Sequence, residues 1–126
     1  MGDLKAELCK RALPYLQNIM LSYSKTGDVL LDLGLGYVWM AYTEPALFKA
    51  FYMDNIMNVK LTDIFPESQQ VVEIMKDSEE YHHLSEEEVK NGIARAWMLA
   101  HGIASLVAVG MLVYDEEKIL GILNKP

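Results

Sequence analysis

The stretch Ser85 to Asp115, SEEEVKNGIARAWMLAHGIASLVAVGMLVYD, decides the fold. Ser85 is followed three residues later by Glu88, the spacing of a capping box, and no proline interrupts the residues that follow. The pattern predicts one long helix that closes on the acidic pair Asp115 and Glu116. Within it Trp97, His101 and Ser105 stand four apart and share one face. Ala96, Ala100, Ala104 and Ala108 form a neighbouring row of small side chains. Such a helix brings another helix close along its alanines while turning an indole and an imidazole inward. It is the expected centre of an all-α bundle with a pocket.

The rest of the chain supports that reading. Leu4, Leu8, Ala12, Leu16, Ile19 and Tyr23 repeat at helical spacing, so a first helix is expected over about Asp3 to Ser24, kinked or interrupted at Pro14. Lys25-Thr26-Gly27 reads as a turn, and Asp28 as the N-cap of a second helix reaching Thr43. Pro45 opens a third helix carrying Leu47, Phe48, Phe51 and Tyr52. Asp54 to Phe65 reads as loop. Pro66 begins another helix, with Val71, Val72, Ile74 and Met75 as its buried side, fraying through Lys76 to Glu80. A short helix from Glu116 to Leu123 ends the chain. There are no repeats, no low-complexity tract and no long linker, so one domain over 1–126 is expected, an antiparallel helical bundle.

The apolar run Ala96 to Tyr114 approaches the length that spans a bilayer. Arg95 at its edge, His101 near its middle and the amphipathic neighbours favour a buried helix of a folded bundle instead.

Two blocks carry a resemblance. Trp97-x-x-x-His101-Gly102, followed by Ala104-Ser105-Leu106, resembles the tryptophan-histidine-glycine signature in the C-terminal domains of one branch of the TetR-type transcriptional repressors. Gly36-Tyr37-Val38-Trp39-Met40-Ala41-Tyr42-Thr43-Glu44-Pro45-Ala46-Leu47-Phe48 is similar to that branch's other hallmark, an aromatic-rich helix that ends at a proline before a short Leu-Phe helix. The blocks stand in the family's order and at about its spacing, and the resemblance spans Leu4 to Leu123. It implies an all-α effector-binding and dimerisation domain, without the N-terminal helix-turn-helix domain that such repressors use to bind DNA. It further implies a homodimer and a small, apolar effector that favours one of two packings and so controls DNA binding by the missing domain.

Charge agrees with a domain that does not itself grip nucleic acid. The 126 residues carry 11 Lys plus Arg against 18 Asp plus Glu, a formal charge of −7. Phosphate neutralisation supplies most sequence-independent affinity for DNA, and no basic patch is visible. The single cysteine, Cys9, fits a reducing cytoplasm, and no secretory signal is visible. No membrane partner is expected.

Eight methionines and twelve Tyr, Trp and Phe side chains offer material for an adaptable apolar cavity. Tyr37, Met40, Tyr52, Trp97 and His101 are the expected ligand-binding residues. A core histidine paired with a neighbouring hydroxyl or carbonyl would need no ligand at all. Glu79-Glu80-Tyr81-His82-His83 has the Glu-x-x-His spacing of carboxylate-bridged di-iron bundles. The further glutamates and second motif of such a site are missing, and no metal or cofactor is expected. Val29 to Gly36, VLLDLGLG, resembles a nucleotide-binding glycine loop, but Val38 stands in the third glycine's place and no strand–helix alternation follows. Those two glycines are expected to permit close helix packing. No nucleophile elbow is present, so no enzyme activity is expected. The competing expectation is a stand-alone helical enzyme or metal protein; a small membrane-associated protein is a third.

Overall fold

The computed structural model of the chain describes residues 2–54 and 68–124, with side chains described for residue 7, 10–54 and 72–124. All regular structure among them is helical: α1 Gly2–Leu21, α2 Val29–Thr43, α3 Pro45–Phe48 running into a π-helical turn Lys49–Met53, α4 Ser68–Asp77, α5 Glu86–Ala108 and α6 Glu116–Leu123. The fold is an all-α bundle in which α2 and α5 make the most extensive pairing. The expected loop over 55–65 and the helix start at Pro66 lie outside the described residues.

Local chemistry explains most helix ends. The Asp28 carboxylate accepts from the Leu30 and Leu31 amides at 3.0 and 3.3 Å, capping α2. It also accepts from the Tyr81 hydroxyl at 2.9 Å, tying the turn after α4 to the start of α2. At α5 the expected capping box is complete: Glu88 N–H donates to Ser85 Oγ at 3.1 Å, and Ser85 N–H donates to Glu88 Oε1 at 3.0 Å. Pro14 lies inside α1 without interrupting it. Pro14 and Lys10, whose carbonyl loses a helical donor to the proline, are both exposed residues.

The end of α5 differs from expectation. The helix stops at Ala108, not Asp115, because Gly110 takes a left-handed conformation with φ +79°. The Met111 amide donates back to the Leu106 carbonyl at 2.8 Å and the Gly110 amide to Val107 at 3.1 Å, a Schellman stop. The apolar run from Ala96 is thereby broken. No helix of the described residues is long and apolar enough to cross a membrane.

Two apolar clusters fill the interior. The larger takes Leu16 of α1, Leu35, Val38, Met40 and Ala41 of α2, Phe48, Phe51, Ala100, Ile103 and Ala104 of α5, and Ile119 of α6. The smaller joins Val72 and Met75 of α4 to Val89 and Ile93 of α5. Ile74, expected on the buried side of α4, is 46 % exposed.

The alanine row has the expected role of close helix contact, but inside the chain. Ala100 and Ala104 are buried against α2, and Ile119 of α6 is equally closed off. These three side chains are therefore interior and offer no surface to a partner chain. The exposed apolar stripe of α5 and its following turn instead carries Leu99, Leu106, Val109, Met111 and Val113.

The glycines of α2 serve close packing, as their setting in a helix requires. A Cβ at Gly36 would lie 2.3 Å from the Met20 carbonyl oxygen, so α1 and α2 touch backbone to backbone there. At Gly34 a Cβ would meet the Leu123 side chain of α6, with Cδ1 nearest at 3.2 Å.

Candidate functional site

Three elements converge on Tyr37. It projects from α2 toward α5 and the π-helical turn and is nearly closed to solvent, at 3 % exposure. Its ring meets Phe48, Tyr52 and Trp97 edge to face, at centroid distances of 5.4, 5.5 and 6.1 Å. Such contacts contribute about 0.5–1.5 kcal/mol each beyond area burial. The π-helical turn adds a residue to the ladder between Phe48 and Asp54, whose amide donates to the Lys49 carbonyl at 2.7 Å. Phe48 and Tyr52 then stack on each other at 5.4 Å, both against Tyr37.

The polar centre of this cluster is a pair separated by 64 residues in sequence. Tyr37 Oη lies 2.9 Å from His101 Nδ1. The imidazole stacks on the Trp97 indole, one helical turn earlier on α5, at 4.8 Å and 17°. Phe48 flanks the imidazole at 5.9 Å. Burial raises the Tyr37 pKa far above its ordinary value, with the Tyr52 phenol adding to the rise, so the hydroxyl keeps its proton. Burial also lowers the His101 pKa below 6.5, favouring the neutral imidazole. Tyr37, Tyr52, Trp97 and His101 are thus brought together. Met40 is fully buried one turn beyond Tyr37, in the core that supports the cluster. Ser105, on the same α5 row, is half-buried. Phe48 belongs to the cluster as fully as Tyr52 does; in the sequence it stands out by the apolar spacing after Pro45 and by the Leu-Phe pair of the resemblance, not as a ligand residue.

A second aromatic cluster occupies the other side of α2. Trp39 meets Tyr23, Tyr42 and Tyr114 at 6.3, 5.7 and 5.5 Å, and Tyr42 stacks on Tyr114 at 4.5 Å. Tyr114 reaches this position because α5 stops early and the chain turns back over α2. The group pins that return and the end of α1.

Below the turn between α1 and α2, Asp32 is the buried carboxylate of the core. Its Oδ1 accepts from Thr26 Oγ1 and Thr26 N–H at 2.9 Å each and from Lys25 N–H at 3.2 Å, while Oδ2 accepts from Gly27 N–H at 3.2 Å. Burial alone would raise its pKa, but these hydrogen bonds outweigh burial and hold it below the ordinary carboxylate value. Its role is to fix the turn.

A separate cleft of about 220 Å³ opens between the start of α2, Tyr81, α5 and the end of α6, with Leu30, Leu31, Leu99 and Leu123 as walls and Asp28 at its polar end. The Glu79–His83 segment beside it is a series of turns, so the helical spacing that suggested a metal site does not apply. His82 Nδ1 lies 2.9 Å from the carbonyl of Glu79, and the Tyr81 hydroxyl goes to Asp28. No group of three or more possible metal ligands occurs among the described residues.

Compared with protein-family models, curated proteins and solved structures, the chain matches none.

Proposed function

We propose that this chain is the ligand-sensing and dimerisation domain of a TetR-type transcriptional regulator, taking a small apolar effector at the aromatic cluster of α2, α5 and the π-helical turn. The observation that carries the reading is the Tyr37–His101 pair set among Phe48, Tyr52 and Trp97: a polar pair within aromatic walls, with Trp97, His101 and Tyr52 each only half-buried. Binding sites for small molecules have this composition, mostly apolar with a few placed polar groups. Of these residues, Tyr37, Phe48, Trp97 and His101 also belong to the blocks that resemble the tryptophan-histidine-glycine branch.

The proposed output runs through α1. An effector wedged between α5 and the π-helical turn displaces α2, and α2 touches α1 directly at Gly36 and Met20. In this reading α1 leads to a helix-turn-helix domain, and its displacement changes the separation of two recognition helices in a homodimer, which consecutive major grooves fix at roughly 34–36 Å. The effector acts only through its different affinity for the two arrangements. The dimer face is the outward stripe Leu99, Leu106 and Val109 with Met111 and Val113, the last two 77 % and 83 % exposed.

Tryptophan fluorescence during titration with a panel of small apolar molecules tests the sensor. A saturable change that is lost in Trp97→Leu and kept in Trp39→Leu is expected; the absence of any saturable change across the panel would overturn the reading. Light scattering on the eluting protein tests the dimer, and a monomer at high concentration would rule it out.

A further inference from the structure

The hydrogen bond at the centre of the aromatic cluster fixes more than a contact. A neutral imidazole carries one proton, on Nδ1 or on Nε2, and the partner of one nitrogen decides which. Tyr37 is buried and keeps its phenolic proton. Among the described residues the acceptor within hydrogen-bond distance of its oxygen is His101 Nδ1, at 2.9 Å. A donating hydroxyl needs the lone pair of Nδ1, so the imidazole proton sits on Nε2.

The surroundings of the ring determine where that proton points. Tyr37 closes off the Nδ1 edge, and Trp97 covers one face at 4.8 Å. His101 is nevertheless only half-buried, and Nε2 makes no hydrogen bond with any described residue. The Nε2 edge lies opposite the Nδ1 edge that Tyr37 occupies, in a cluster whose Trp97 and Tyr52 are half-buried as well.

We propose that His101 Nε2–H is a fixed hydrogen-bond donor for the effector, and that the effector class is an apolar, flat molecule bearing a neutral carbonyl oxygen. The inference rests on the sensor reading above and names its ligand chemistry. A fixed N–H donor calls for an acceptor on the ligand, and the aromatic rings around it call for an apolar frame. A carboxylate would pair best with an imidazolium, the form that burial disfavours here. A ketone, ester or lactone oxygen needs only the one donor, while its carbon frame lies against the rings.

Two measurements on the intact chain test this. Two-bond proton–nitrogen correlation spectra of the ¹⁵N-labelled protein read the tautomer directly: a pyridine-type Nδ1 and a pyrrole-type Nε2 are expected for His101. A protonated Nδ1 in the free protein would overturn the inference. The second measurement compares acetophenone with α-methylstyrene, its near-isostere in which C=CH₂ replaces C=O. Acetophenone is expected to shift the His101 Nε2 signal, and α-methylstyrene to leave it in place. In His101→Phe the affinity for acetophenone should fall about 2- to 10-fold, the ordinary net value of one hydrogen bond, with α-methylstyrene unaffected. Tyr37→Phe keeps the imidazole and frees its tautomer, so it should lose part of the same preference even if His101→Phe fails to fold. Equal responses to the two probes at Trp97 and Tyr52 would sink the donor and spare the sensor. If neither probe at millimolar concentration moves any signal of the cluster, both readings fall.

Discussion

Tyr37 and Trp39 stand two residues apart on α2, about 200° around the helix, and the two faces they occupy are built differently. On the Trp39 face, Tyr23, Tyr42 and Tyr114 close rings over a contact in which α1 and α2 meet backbone to backbone. On the Tyr37 face, α2 meets α5 and the π-helical turn through long side chains, and a hydrogen bond to a half-buried imidazole sits among them. One face is a seam closed by backbone contact at Gly36. The other is joined through side chains and holds the Tyr37–His101 pair, whose imidazole is half-buried. Similar aromatic content therefore gives a fixed joint in one place and a candidate binding surface in the other.

The sharpest way to break this contrast is Gly36→Ala. The added methyl would sit 2.3 Å from the Met20 carbonyl, and a backbone cannot swing aside as a side chain does. A loss of about 3 kcal/mol is expected in urea unfolding, at the upper end of overpacking costs; a loss below about 1 kcal/mol would mean the seam is not tight. Asp32→Asn comes next. It removes a charge-assisted set of hydrogen bonds that fixes the turn feeding the seam, at an expected cost of about 2 kcal/mol. Because the folded-state pKa of Asp32 is depressed, its stabilisation is complete above the unfolded value of 3.8 and is lost as pH falls through the folded value. The Asn variant should lack that acid loss, which unfolding curves between pH 5 and 2 would reveal.

On the other face, Tyr37→Phe should cost about 1 kcal/mol by stranding His101 Nδ1, whereas Tyr42→Phe, with its ring half in water, should be near neutral. His101 adds a pH signature. Its folded pKa is lowered by burial, so the unfolded chain takes up the proton first and stability should fall as pH drops below about 6.5. His101→Phe should flatten that limb, and an unchanged slope would show that the imidazole is not desolvated. Gly34→Ala should do least. Its methyl meets the flexible tip of Leu123, and the gain in helix propensity of up to about 1 kcal/mol offsets the crowding, leaving a net change within about 0.5 kcal/mol in the same urea assay.

Much of this architecture is legible in the residues, because capping and turn chemistry act over three or four positions. Ser85 with Glu88, Asp28 ahead of Val29, and Glu116 to Leu123 are local patterns, and each helix starts or ends where its pattern indicates. The close-packing glycines of α2 are likewise evident from their setting. The stop at Ala108 escapes a reading by hydropathy, since Gly110 lies in a run whose apolar character continues to Tyr114. Small residues announce close contact but not with whom, which is why Ala100 and Ala104 predict a close helix without naming α2 as that helix. The π-helical turn has no sequence signature at Lys49–Met53. Tyr37 and His101 both stand out as candidate ligand residues, but their hydrogen bond joins helices 64 residues apart and no spacing rule reaches that far. The Trp39 cluster is hidden for the same reason, because Tyr114 joins it only after α5 ends.

The contact at Gly36 has a mechanical consequence. Most helix joints are cushioned by side chains that can change rotamer, so a small push on one helix is partly absorbed before it reaches the next. Where a carbonyl oxygen rests against a bare Cα there is no such compliance. A displacement of α2 of even a few tenths of an ångström arrives at Met20 almost undiminished, and α1 behaves as a stiff extension of the helix that carries Tyr37.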